Sequence, residues 1–110
     1  MKGTYLGEFE EIVLLATAIL HPKAYAVNLT LEIEQQTQRS VHISAVQTAL
    51  YRLEEKGFLH SQLGEATAER GGKRKRLFTV TAYGVNALRT AQQLRVQMWT
   101  QIPAIVLQGN

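Results

Sequence analysis

The sequence contains no cysteine and no aspartate among its 110 residues, and only two prolines. Without cysteine there are no disulfides, no thiolate metal sites and no thiol nucleophiles. No run of about 18 or more apolar residues occurs, and the first twenty residues lack the pattern of a signal peptide. We therefore expect a cytoplasmic protein that has no membrane partner.

The usual sequence signatures of catalysis are missing as well. The chain has no phosphate-binding loop, no glycine-rich nucleotide fingerprint and no H-E-x-x-H pattern. His21, His42 and His60 are far apart in sequence and have no cysteine to join them, which favours surface or strand positions over metal ligation. The sequence predicts neither an enzyme nor a bound cofactor nor a metal site.

The charges that are present are unevenly distributed. A chain of 110 residues with 45% hydrophobic and 19% charged residues has the size and composition of one soluble globular domain. Residues 1–38 carry two basic and five acidic groups, whereas residues 39–110 carry ten basic and four acidic groups. A basic surface attracts polyanions, of which nucleic acid is the most common for a small domain. A solvated charge run near a loop is the alternative.

Apolar periodicity predicts two helices in the first third of the chain. The first covers residues 8–20, with three glutamates in its first turn, and Pro22 ends it. The second covers residues 25–37, and residues 39–42 are too short for more than a strand stub. The apolar stripe of the first helix consists of Phe9, Ile12, Val13, Ala16, Ile19 and Leu20, and that of the second consists of Ala26, Leu29 and Ile33.

A third helix is predicted over residues 45–56. Ser44 and Gln47 have the spacing of a capping box, and Gly57 is suited to a left-handed stop. Its inward stripe consists of Val46, Leu50 and Leu53. Its outward face is polar and consists of Ala45, Gln47, Thr48, Tyr51, Arg52 and Glu55.

Two segments with alternating apolar residues follow, FLHSQLGEAT and RLFTVT. The glycine pair at residues 71–72 can join them as a β-hairpin. Five cations cluster at the tip of this hairpin, namely Arg70, Lys73, Arg74, Lys75 and Arg76. Thr81 is a good N-cap for a last helix that ends before Pro103.

The order of elements predicts a winged helix-turn-helix, a mainly α fold with one small β-hairpin. Residues 1–80 form the DNA-binding domain in this interpretation, and residues 81–110 form a C-terminal dimerisation helix and tail within one compact unit. The third helix enters the major groove of double-stranded DNA, and the hairpin wing lies on the backbone or in the adjacent minor groove. Phosphates then offset the mutual repulsion of the cations at the wing tip.

Four segments of the sequence resemble the PadR family of bacterial transcriptional regulators, in particular its short members with one C-terminal helix. They are LGEFEEIVLLA, SAVQTALYRLEEKGFL, GEATAERGGKRKRLFTVTAYG and QMW, and together they span residues 6–99. The resemblance implies a homodimeric repressor in which helix three and the wing of each protomer bind one half of an inverted repeat. It also implies that the last helix packs across the dimer.

The sequence departs from the family pattern at three places. Tyr25 is followed by Ala26 where the family often has glycine, and Ala82 stands where the family commonly has proline. The recognition helix presents Gln47 and Tyr51 rather than the usual family pattern, so the operator sequence cannot be transferred from relatives.

The residues expected to contact DNA come from two elements. Those of the recognition helix are Ser44, Gln47, Thr48, Tyr51 and Arg52, and those of the wing are Arg70, Lys73, Arg74, Lys75 and Arg76. Arg76 has the same strand parity as Phe78 and Val80, so we expect it to lean towards helix three as a positioning residue. In the alternative interpretation, the helix face is merely solvated and Arg52 pairs with a glutamate.

The last helix carries more apolar surface than a lone terminal helix should expose. The expected dimer interface consists of Leu88, Leu94, Met98, Trp99 and Ile102. Trp99 could instead be a stacking platform for a small molecule, and an inducer is expected at the dimer interface or between helix one and the last helix.

A dimeric protein-interaction adaptor without specific DNA binding is the alternative function. The tail over residues 103–110 has no role assigned by the sequence.

Overall fold

The computed structural model describes residues 6–64 and 74–109. Their elements are α1 (Glu8–Ile19), α2 (Ala26–Thr37), α3 (Ile43–Glu55), β1 (Leu59–Leu63), β2 (Arg76–Val80), α4 (Ala82–Trp99) and α5 (Ala104–Leu107). The two strands pair antiparallel, with Leu59 opposite Val80 and Leu63 opposite Arg76. The predicted winged helix-turn-helix is confirmed. The predicted glycine turn at residues 71–72 lies outside the described residues.

One hydrophobic core holds the three-helix unit and the hairpin together. The largest fully buried side chain is that of Phe58, which is 1% exposed and lies where α3 passes into β1. Full burial of an aromatic side chain of this kind contributes about 1.5–3 kcal/mol. The other buried apolar residues are Val13, Leu14, Ala16, Ala24, Leu29, Ile33, Val46, Ala49, Leu50, Leu53, Leu59 and Phe78. The inward stripes predicted for helices two and three are therefore confirmed.

The stripe predicted for α1 is only partly correct. Leu14 and Thr17 are buried, whereas Ile19 is 57% exposed. The Thr17 hydroxyl donates to the Val13 carbonyl at 2.8 Å, which lets a polar side chain occupy a core position. Ile19 instead contributes to an apolar surface that the single chain leaves uncovered.

The start of α3 differs from the prediction. The N-cap is His42, with no side-chain cap, and the helix begins at Ile43. The predicted capping box is therefore wrong, because Ser44 already lies inside the first turn. The end of the helix was predicted correctly, since Gly57 follows it with a φ of 85°.

The strand stub predicted for residues 39–42 is also wrong. The segment is irregular, and the Val41 amide donates to a carboxylate oxygen of Glu34 at 2.9 Å instead of to a strand. On the edge of β2 that does not face β1, Ala24 forms an isolated antiparallel bridge with Phe78. This bridge fixes the start of α2 against the wing.

The start of α4 is fixed tightly against the hairpin. The Thr81 hydroxyl accepts from the Gly84 amide at 3.0 Å and donates to the Gly57 carbonyl at 2.7 Å. Tyr83 stacks on Phe58 with 5.0 Å between the ring centroids. The N-cap predicted at Thr81 is confirmed, and it links the last helix to the end of α3.

The C-terminal half of α4 extends away from the core. Its 18 residues span about 27 Å and pack on α1 and β2, and every residue from 92 to 99 is exposed, although Arg95 still pairs with Glu11 of α1. A short helix that was not predicted, α5, follows Pro103. Among the described residues, no helix is both long and apolar enough to cross a membrane.

Candidate nucleic-acid interface

The outward face of α3 presents the polar residues that the sequence predicts. Ser44, Gln47, Thr48, Tyr51 and Arg52 are all exposed, and Tyr51 is 65% exposed. Within residues 6–64 and 74–109, none of these five side chains makes a hydrogen bond or an ion pair. The predicted alternative, in which Arg52 pairs with a glutamate, is therefore not observed in this part of the chain. The donors and acceptors of the helix face are available to an external partner.

The outward residues of α3 divide between two flanks of the helix. Gln47 and Tyr51 lie on the flank beside the wing, where they line a cleft. Thr48 and Arg52 lie on the opposite flank, in a shallow groove next to α1. Between the two flanks, no other element of the described residues covers the face of α3, as insertion into a groove requires.

The described base of the wing carries three cations, each held by a different contact. The Arg74 Nε donates to the Gly64 carbonyl at 2.7 Å, and the Lys75 Nζ lies 3.9 Å from the centroid of the Tyr25 ring. The remaining cation, Arg76, reaches towards α3. The other two cations predicted for the wing, Arg70 and Lys73, lie outside the described residues.

A chain of hydrogen bonds connects the wing to α3. The Arg76 Nη1 donates to the Ser61 hydroxyl at 3.0 Å. The Ser61 hydroxyl donates in turn to the Glu54 carboxylate, whose oxygens lie 2.8 and 3.0 Å away. Arg76 therefore leans towards α3 as its strand parity predicts. We name the three residues Glu54, Ser61 and Arg76 the wing relay.

The wing relay predicts a measurable coupling between Ser61 and Arg76 in duplex binding. The variants Ser61→Ala and Arg76→Ala should each weaken binding about three- to tenfold, and the double variant should lose about as much as the worse single variant. The reason is that either change disconnects the wing from α3. A double-mutant cycle by fluorescence anisotropy measures this coupling, with Gln62→Ala on the exposed strand as control. Additive losses would show that the two side chains act independently.

Ion pairs attach α1 to the elements on both sides of it. The Lys56 Nζ lies 2.8 Å from Glu10 Oε1, and both side chains are partly buried. Arg95 of α4 lies 2.9 Å from Glu11 Oε1. These pairs use α1 glutamates to offset cations outside the wing, whereas the wing cations Arg74, Lys75 and Arg76 form no ion pair within the described residues.

Between α2, α3 and β2 lies a cleft of about 480 Å³. We name it the wing cleft. Its lining residues are Tyr25, Ala26, Val27, Ile43, Gln47, Leu50, Tyr51, Glu54, Arg74, Lys75, Arg76 and Phe78. The cleft opens on the same side of the molecule as the exposed flank of α3.

Among the described residues, no group of three His or Glu side chains converges in a way that could hold a metal ion. The three histidines lie in separate places. His42 caps α3 with its backbone, His60 lies on β1, and His21 follows α1.

The residues predicted for a dimer interface fall into two groups. Leu94, Met98 and Trp99 are 54%, 61% and 62% exposed, and they lie on the part of α4 that extends away from the core. Leu88, by contrast, is half-buried against the core of its own chain, and Ile102 is half-buried as well. Other exposed apolar residues, which were not predicted as interface residues, are Leu15, Ile19, Val96, Ile105, Val106 and Leu107.

The fold is shared with solved structures of transcriptional regulators. A PadR-like transcription factor from Bacteroides fragilis is 18% identical and superposes with a TM-score of 0.73, over 88% of each chain. A PadR-like transcriptional regulator from Bacillus cereus is 17% identical with a TM-score of 0.72, over 93% of each chain. A PadR family regulator from Eggerthella lenta is 19% identical with a TM-score of 0.68, over 94% of this chain and 88% of that chain.

No protein-family model matches the sequence, and no curated protein matches it. The resemblance to the PadR family that the sequence motifs indicate is confirmed at the level of the fold.

Proposed function

We propose that this chain, which has the fold of PadR-like transcriptional regulators, is a cytoplasmic, sequence-specific DNA-binding regulator and not an enzyme. The observation that carries the proposal is the exposed polar face of α3, whose side chains have no partner within the described residues and lie beside a cationic wing. A merely solvated helix does not need a cationic neighbour. A helix that enters the major groove does, because the wing fixes its angle to the phosphate backbone.

The two elements have different tasks in this proposal. Gln47 and Arg52 are able to make bidentate contacts to base edges, each worth about 1–3 kcal/mol of discrimination. Thr48, Tyr51 and Ser44 complete the contact face. The wing cations neutralise phosphates and supply affinity that is independent of sequence. Residues 1–80 would thus bind DNA, while residues 81–110 set the distance between two copies.

The exposed apolar side of α4 supports a homodimer. Leu94, Met98 and Trp99 are each more than half exposed, and a contiguous apolar surface of this kind is unusual on a monomer. A two-fold axis through this surface would present two α3 helices to half-sites of an inverted repeat about one helical turn apart. Such a dimer would repress transcription by occupying the promoter. An inducer, if it binds at this interface, would change the spacing of the wings.

The proposed interface makes a prediction about mass in solution. The double variant Leu94→Glu with Met98→Glu should dissociate the dimer, because four carboxylates would then lie in the apolar contact of the two chains. Sedimentation velocity should give a dimer for the wild type and a monomer for the variant. The matched control is Gln93→Glu with Gln97→Glu, which adds the same charge about 100° round α4 from Leu94 and Met98 and should remain dimeric. A wild-type monomer at micromolar concentration would contradict the proposed interface.

The experiment that tests the function is selection of binding sites from a pool of random duplexes. We expect an enriched inverted repeat, with one half-site for each protomer. The variants Gln47→Ala and Arg52→Ala should then lose about 1–3 kcal/mol of preference at individual base pairs while keeping most of their binding to random DNA. The control Gln62→Ala should retain the full preference. An unenriched pool would exclude sequence-specific binding and favour the adaptor function.

A further inference from the structure

The wing cleft has the lining of a small-molecule site, and some of its lining residues are also proposed to contact DNA. We propose that it binds a small amphipathic organic anion, and that this anion and DNA exclude one another. The second half of the proposal rests on the proposed function, whereas the first half does not. This site differs from the two that the sequence suggested for an inducer, the dimer interface and the space between helix one and the last helix, because its lining comes from α2, α3 and the wing.

The floor and walls of the cleft are largely apolar. Leu50 and Phe78 are buried core residues whose edges reach the cleft, and Ala26 adds a small side chain at the start of α2. The rings of Tyr25 and Tyr51 form its walls. A volume of about 480 Å³ lies within the usual range for small-molecule sites, and an apolar lining with few polar groups is typical of them. The occupant therefore has an apolar, preferably flat, body.

The rim of the cleft determines the charge of the occupant. Arg74, Lys75 and Arg76 all line it, and all three belong to the wing. The single carboxylate in the lining, Glu54, accepts from the Ser61 hydroxyl and is linked through it to Arg76. The net charge of the lining is thus positive. Because the apolar floor lowers the local dielectric constant, a negative group placed at this rim interacts more strongly than it would at an open surface.

The cleft shares residues with the proposed DNA contacts. Gln47, Tyr51 and Lys75 all line it, and each is also expected to face the duplex. A molecule seated there occupies the space between the recognition helix and the wing. Binding of the anion therefore displaces DNA directly, without any rearrangement of the dimer.

The experiment uses two fluorescent probes that differ in one charged group, 8-anilinonaphthalene-1-sulfonate and the neutral N-phenyl-1-naphthylamine. Each is titrated into the full chain. The sulfonate should bind at least about fivefold more tightly than the neutral probe, and Lys75→Gln should remove most of this preference. Val27→Trp, which fills the cleft from a half-exposed position on its lining, should weaken both probes at least about tenfold.

Two controls separate the outcomes. Trp99→Ala alters the apolar face of α4, where an apolar probe could bind instead. If this variant loses probe binding and Val27→Trp keeps it, the proposal is overturned. Equal affinity for the charged and neutral probes would overturn it too. Circular dichroism establishes that the variants are folded. The sulfonate should also raise the apparent Kd for duplex in proportion to its own concentration; if no duplex binds at all, the proposed function fails while the cleft titration still stands.

Discussion

Replacing Lys73, Arg74 and Lys75 together by alanine is expected to weaken binding to every duplex by about a hundredfold at 0.15 M salt. The affinity for specific DNA and the affinity for random DNA should fall by the same factor, because phosphate contacts carry no sequence information. The slope of log K against log salt should become shallower by about 2 to 3, since each lost contact removes about 0.9 from it. Fluorescence anisotropy at several salt concentrations measures both quantities.

The structure supports a direct role for the base of the wing in this effect. Arg74 is held by the Gly64 carbonyl and Lys75 lies over the Tyr25 ring, so both cations have defined positions before DNA arrives. Preorganised cations lose less side-chain entropy on binding than freely rotating ones. Arg76 belongs to the wing relay, and its replacement should change affinity more than the salt slope.

A charge-conserving variant is the matched control. The triple change Lys73→Arg, Arg74→Lys and Lys75→Arg keeps all three positive charges and should keep the wild-type salt slope. If the alanine variant also kept the wild-type slope and affinity, the wing would not be a phosphate-binding element.

Replacing Gly84 by alanine is expected to lower the free energy of unfolding by about 3 kcal/mol, the largest stability effect among the predictions. An added Cβ would lie within 2.3 Å of the Phe58 carbonyl oxygen and 2.8 Å of Val80 Cγ1. The first of these is backbone, so it cannot move away by a rotamer change. Overpacking at such a site costs about 1–3 kcal/mol or more.

The consequence follows from the position of Gly84 in the fold. Its amide donates to Thr81 at the start of α4, and the adjacent Tyr83 stacks on Phe58. Displacing this turn separates the last helix from the junction between α3 and the hairpin. Urea unfolding followed by circular dichroism measures the loss, and the midpoint of thermal unfolding should fall by roughly 10–15 °C.

Gly7→Ala is the control for the glycine change. Among the described residues, an added Cβ there has only Glu10 within 4.0 Å, so the expected loss is at most about 1 kcal/mol. Equal stability of the Gly84→Ala variant and the wild type would mean that α4 is not held at this contact.

The sequence was sufficient to predict the elements whose pattern repeats locally. The inward stripe of α3, with Val46, Leu50 and Leu53, follows directly from helical periodicity. The left-handed stop at Gly57 and the cap at Thr81 were also correct, because both depend on the intrinsic conformational or hydrogen-bonding properties of one residue.

The predictions that were wrong depend on contacts between distant residues. The stub at residues 39–42 has no strand to pair with, because Ala24 already occupies the edge next to Phe78. Ile19 is exposed because the elements packed on α1 cover the side that carries Val13, Leu14, Ala16 and Thr17, and Ile19 points away from that side. No local pattern contains this information.

The candidate site was predicted as two sets of residues, and the structure adds what joins them. The wing relay depends on Ser61, a strand serine with no recognisable motif, which connects Glu54 to Arg76. The wing cleft forms only where α2, α3 and β2 meet in the folded chain. The spacing of residues in the sequence therefore does not predict that a cleft exists or how large it is. Strand parity did indicate the direction of Arg76, because its alternation with Phe78 is a local property.

The most direct test of the central claim is fluorescence anisotropy with a duplex from upstream of the chain's own coding sequence and a shuffled duplex of the same composition, each titrated at several salt concentrations. We predict a steep salt slope for both and at least about tenfold tighter binding to the upstream duplex. No binding to either duplex at low salt would contradict the claim, and α3 would then have to be regarded as a surface for another protein.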